Sequence, residues 1–169
     1  MLKALWRPRQ SKEIARRLCA ILIAQARTAA FFTLFRVPDT MDGRFDLVAL
    51  HAWLMLEPLE SDPAVAQALV NEIFLQFDEA LRDLGTGDVG MNRRLKTLAS
   101  AFYGRLQAYR NTSTQEDLAQ AIRRNLYRGA PERKPQADAL ATYVMRSRSR
   151  LAGFNTTGKD PEFAPLPTT

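Results

Sequence analysis

The chain has 169 residues, 46% hydrophobic and 25% charged, with a formal net charge of +6. It is long enough for one domain that buries roughly 70% of its unfolded surface. A single cysteine, Cys19, excludes an internal disulfide and a cysteine-built zinc site. The charge is segregated: residues 1–38 carry net +7, residues 39–88 net −9 and residues 89–169 net +8. Basic ends around an acidic middle suit a phosphate-rich or anionic partner, or equally mutual neutralisation on folding.

The opening MLKALWRPRQSK looks like a basic leader. No long apolar run follows, and Arg16, Arg17 and Arg27 bring charge back, so a secretory signal is not expected. Residues 1–10 read as a basic lead to a helix over Lys12–Phe32, with Ile14, Leu18, Ile21, Leu22, Ala29 and Phe32 on one face. Arg9, Lys12, Arg16 and Arg27 fall on another stripe, which can meet an anionic membrane or ribosomal surface, or simply be solvated. No apolar run reaches the roughly 20 residues that span a bilayer.

Pro38 closes this helix, and Asp42-Gly43 predicts a turn in which Asp42 accepts backbone N–H groups. Arg44–Glu57 then has apolar groups on nearly every side, the mark of a central buried helix, and Pro58 ends it. Ser61-Asp62-Pro63 starts a helix with Val65, Leu69, Ile73, Phe77, Leu81 and Leu84 in register, and Gly85-Thr86-Gly87 stops it.

Asp88 can cap the next helix, whose stripe is Met91, Leu95, Leu98, Phe102, Leu106 and Tyr109. Its other side carries Arg93, Arg94, Lys96 and Arg105, a candidate phosphate-binding face or a face that pairs with the acidic middle. Thr114 and Asp117 form a capping box for a short helix with Leu118, Ile122 and Leu126, stopped near Gly129. A last helix, Pro135–Ala152, turns Leu140, Val144 and Leu151 inward, and the Pro- and Thr-rich residues 154–169 read as a mobile, disordered tail. The expected architecture is all-α: about six helices in one compact domain, residues 11–153.

Chemistry is weakly signalled. Asp39, Asp42 and Asp46 are spaced for helix geometry, and a calcium loop begun at Asp39 would place Arg44 where glycine is required. His51 is the lone histidine and lies within the apolar helix, which favours a packed imidazole bonded to Asp46 or a backbone carbonyl over a general base. Gly85–Gly90 has helices on both sides, so it is no dinucleotide fingerprint.

Two stretches carry a family resemblance. VPDTMDGRFDLVALHAWLMLEPL at Val37–Leu59, sharpest at Pro38-Asp39-Thr40 and Asp42-Gly43-Arg44-Phe45, is one. GTGDVGMNRRLKTLASAFYGRLQAY at Gly85–Tyr109, sharpest at Gly87–Gly90 and Ala101-Phe102-Tyr103-Gly104-Arg105, is the other. Together they resemble the ubiquinol–cytochrome c chaperone family, bacterial relatives of the mitochondrial assembly factor for the cytochrome bc1 complex.

The resemblance runs from about Ser11 to Leu151. It implies a non-catalytic protein without a cofactor or metal, which receives newly made cytochrome b before it enters complex III. It also implies action beside the ribosomal tunnel exit with a small partner protein, or as a homo-oligomer where that partner is absent. The expected location is cytoplasmic, with peripheral contact to membrane or ribosome.

The expected client surface is Asp39, Thr40, Asp42, Gly43, Arg44 and Phe45 with Trp53, joined by Arg93, Arg94, Lys96, Tyr103 and Arg105. The alternatives are a basic RNA- or ribosome-binding module without a client and, third, an enzyme built on His51.

Overall fold

A computed structural model describes residues 2–83 and 88–167, with side chains at 9–83 and 90–167. The Gly85–Gly87 stop signal, and the side chains of Leu84 and Asp88, lie outside these residues. The described residues include six long α-helices and one short one: α1 Leu2–Ala26, α2 Ala30–Thr33, α3 Met41–Leu56, α4 Pro63–Asp83, α5 Asp88–Arg110, α6 Gln115–Leu126 and α7 Lys134–Leu151. Among the described residues there is no strand, as the absence of period-two alternation implies.

Helix α3 is the axis of the domain, packing on α1, α5, α6 and α7. Leu47, Ala49, Leu50, Ala52, Leu54 and Met55 are fully buried, so its nearly continuous apolar sequence is used on almost every side. The pairs α1–α4 and α6–α7 flank it. The predicted stripes face this core: Leu18 and Leu22 of α1, Leu69 and Ile73 of α4, Phe102 and Tyr109 of α5, Ile122 of α6, and Leu140 and Val144 of α7.

Two boundaries differ from expectation. Helix α1 passes through residue 10 without a break but ends at Ala26, six residues before Phe32. The chain bends at Thr28, whose N–H donates to the Gln25 carbonyl at 3.0 Å. The bend turns Phe31 and Phe35 inward against Tyr143, with ring centroids 5.4 and 6.4 Å from it. A straight helix would have kept Ala29 and Phe32 on the stripe instead; Ala29 is exposed and Phe32 only half-buried.

The α3 start also differs. Thr40, in extended conformation, is the N-cap, its Oγ1 accepting from the Gly43 N–H at 3.2 Å. Asp42, expected to cap, instead sits in the first turn, where its charge suits the helix dipole.

Other local signals hold. Asp62 accepts from the Val65 N–H at 3.3 Å ahead of Pro63. At α6, Thr114 and Asp117 bond reciprocally, each N–H donating to the other's side chain at 3.1 Å. Because packing leaves this cap exposed, Thr114→Ala is expected to lower Tm by roughly 2–4 °C in a thermal melt, leaving the fold intact.

After α6, Arg128 and Gly129 have φ of 53° and 79°, and the Gly129 N–H returns to the Arg123 carbonyl at 2.9 Å. The left-handed position therefore includes an arginine as well as the expected glycine.

No helix follows α7 in the described residues, in keeping with the composition of 154–169. The inner part of this irregular segment is anchored: Phe163 and Ala164 are buried, and the Ala164 N–H donates to Ser147 Oγ at 3.0 Å.

Candidate functional site

His51 is completely enclosed. Its ring lies 5.1 Å from both Phe31 and Phe163, edge to face. The Leu47 carbonyl can only accept, so Nδ1–H donates to it at 2.8 Å. Nε2 then accepts from the Tyr143 hydroxyl at 3.0 Å, and that hydroxyl accepts from Gln25 Nε2 at 3.0 Å. The backbone-carbonyl partner is the expected one; Asp46 is not.

Both ring nitrogens are satisfied and the imidazole has no exposed surface, the packed histidine that the apolar helix implied. Burial lowers its pKa to about 4. The unfolded imidazole protonates near 6.5, so stability is full above that pH and is lost as pH falls from 6.5 to about 4. A shift of this size corresponds to about 3 kcal/mol. In denaturation series, His51→Gln is expected to flatten this part of the stability–pH profile.

The three aspartates around the start of α3 pair with three arginines, Arg128 being shared by two of them. Asp39 accepts from Arg44 Nε at 2.7 Å on the surface, and Asp42 lies 3.6 Å from Arg128. Asp46 is fully buried and accepts from Arg105 Nε at 2.5 Å and Arg128 Nη1 at 2.7 Å. Burial pushes the Asp46 carboxyl up, and the Arg128 and Arg105 guanidiniums oppose that shift. No group of three or more His, Cys, Asp or Glu among the described residues is arranged to hold a metal ion. Cys19 is buried, and burial raises its thiol to about 11.

Beside this ion-pair cluster lies an apolar groove of about 680 Å³ between α1, α3, α4 and α5. Its floor includes Ile23, Phe45, Val48, Phe77 and Leu98. Phe45 is fixed from two sides, by the Phe77 ring at 5.2 Å and by the Arg105 guanidinium at 4.8 Å over its face. Asp46 in turn holds Arg105, so the buried ion pair positions the groove wall. At the rim stand Met41, which is 50% exposed, and Arg27, Arg44, Arg93 and Arg94.

An apolar trough open to solvent is a place for another chain to lie. The sequence pattern of the ubiquinol–cytochrome C chaperone family matches residues 33–157. The chain belongs to this family.

A crystal structure of the Cbp3 homolog from Brucella abortus is 34% identical, with a TM-score of 0.78 over 92% of this chain and 90% of that one. Among curated proteins there is no match. Membership and that structure support a ubiquinol–cytochrome c chaperone role. No helix among the described residues is long and apolar enough to cross a membrane.

In this chaperone fold the residues expected at a client surface divide. Asp42, Arg44, Phe45, Arg93 and Arg94 line the groove, and so does Arg27, which had been placed on the basic stripe of α1. Lys96 is exposed just outside it, beside Arg93 in a shallow hollow on α5. Tyr103, 52% exposed, stacks on Phe74.

Four others have internal work. Thr40 caps α3, Gly43 makes room for Pro38, and Arg105 binds Asp46. Trp53 is not on an outer side of α3. It is 2% exposed, packed on Tyr109 at 5.7 Å beneath the Arg148 guanidinium.

Arg9 and Lys12 are exposed on α1, while Arg16 pairs with Glu72 of the acidic middle at 3.4 Å. With Arg105 and Arg128 on Asp46, and Arg148 on Glu57 at 2.7 Å, part of the segregated charge is neutralised by folding.

Sequence reasoning missed Ile23, Phe77 and Leu98 as groove residues. Phe77 and Leu98 fit their helix stripes and Ile23 falls in line with Arg16 and Arg27 of the basic stripe, so none gives a sign of lining a groove. The one available signal was the surplus of apolar groups on α3 over a single buried stripe.

Proposed function

We propose that the chain is a non-catalytic assembly chaperone for the cytochrome bc1 complex, and that the groove between α1, α3, α4 and α5 holds newly made cytochrome b. The observation that carries this reading is the groove itself: an accessible apolar floor on a domain whose lone histidine is sealed away. A polytopic membrane protein exposes apolar helices before insertion, and a helix-lined trough covers such surface without forming bonds.

The exposed Arg9 and Lys12 on α1 give this holder a basic side for peripheral contact with ribosomal or membrane phosphates. A photo-crosslinker replacing Met41 or Thr97, both exposed at the groove, should capture cytochrome b during its synthesis. The same group at exposed Ser149 on α7 should not. Capture from Ser149 alone would remove the groove as the client site.

A further inference from the structure

An apolar floor by itself accepts any greasy segment, and the rim is what narrows the choice. Arg27 directly after α1, Arg44 from α3, and Arg93 and Arg94 from α5 all line the groove, against one carboxylate, Asp42, among its described lining residues. Arg44 is held by Asp39. Arg27 and Arg93 are exposed, and no carboxylate among the described residues lies within ion-pair distance of either.

These two cations come from different parts of the fold, Arg27 directly after the last residue of α1 and Arg93 on α5. The floor between them is concave and formed by side chains of four helices. A flat lipid surface cannot follow such a floor, whereas one face of a helix can, through side chains at i, i+3, i+4 and i+7.

We propose that the groove takes a helical protein segment whose apolar face is flanked by acidic residues, the carboxylates meeting Arg27 and Arg93. This rests on reading the groove as the client surface, and adds the charge rule by which it chooses among apolar segments. Exposed ion pairs contribute little each, so the rim sets preference while the floor sets affinity. The preference is also screened by salt, since the rim is open to solvent.

The test uses the full chain and two labelled peptides of about four helical turns with the same leucine and alanine face. One carries glutamates at both flanks, the other lysines. The glutamate peptide is expected to bind roughly tenfold tighter at about 50 mM salt, and the difference should collapse near 1 M.

An Arg27→Glu, Arg93→Glu double variant, both sites being exposed, should keep its helical circular dichroism and reverse the preference. Equal binding of the two peptides at low salt would overturn the charge rule while leaving the groove as a client site. Binding of neither peptide, with the chain retained instead on phosphatidylglycerol–phosphatidylcholine vesicles, would overturn both.

Discussion

Asp46→Asn is expected to lower the unfolding free energy by about 3 kcal/mol, because removing one member of a buried ion pair leaves its partner uncompensated. Asp46 is fully buried and Arg105 nearly so, and both of its carboxylate oxygens are used. The Oδ1 of an amide at that position could still accept from one guanidinium, but its NH2 group would turn N–H donors toward the other, which is itself only a donor.

The damage should extend beyond stability. Arg105 would lose the contact that seats it over Phe45, and Arg128 would lose the shorter of its two ties to α3, keeping Asp42 at 3.6 Å. Urea denaturation measures the first effect. Asp42→Asn is the control: its carboxylate lies on the surface, 3.6 Å from Arg128, and its loss should scarcely move the transition.

Gly43→Ala is the second large effect, and its sign runs against helix propensity. Alanine in a helix is favoured over glycine by about 1 kcal/mol. Here, however, a Cβ on residue 43 would collide with the Pro38 carbonyl oxygen, a backbone atom that cannot swing aside as a side chain can.

Either the Pro38–Thr40 entry or the first turn of α3 has to move, and the Thr40 cap sits between them. Overpacking of this kind costs roughly 1–3 kcal/mol, more where backbone must shift, so a net loss of about 2 kcal/mol is expected by urea denaturation. Because Phe45 follows two residues later, the same shift should open the groove wall and weaken client binding.

The architecture was readable because each helix carries its own punctuation. Asp62-Pro63, the Thr114–Asp117 box and the apolar stripes all act within one or two turns of chain, so spacing alone reveals them. The α1 bend was not readable, since the reason for it is burial of Phe31 and Phe35 against Tyr143, more than 100 residues away in sequence.

Likewise Asp46 was read as a helix residue that could meet His51, and its real partners, Arg105 and Arg128, are brought to it by α5 and the turn after α6. His51 was legible as a packed residue from its apolar helix, but not as a member of a chain running through Tyr143 to Gln25. Motif spelling picked out Asp42, Arg44, Phe45, Arg93 and Arg94. It could not tell residues that face the groove from Thr40, Gly43, Trp53 and Arg105, which hold the frame behind it.

The most direct test of the holding role is the amount of cytochrome b and assembled complex III in cells whose only copy of this chain carries Met41→Glu with Thr97→Glu. Both positions are exposed at the groove, so the variant should fold and accumulate normally. Holding by the apolar groove predicts that cytochrome b and complex III fall to the level of a strain lacking the chain altogether. Full recovery of both by this folded variant would contradict it.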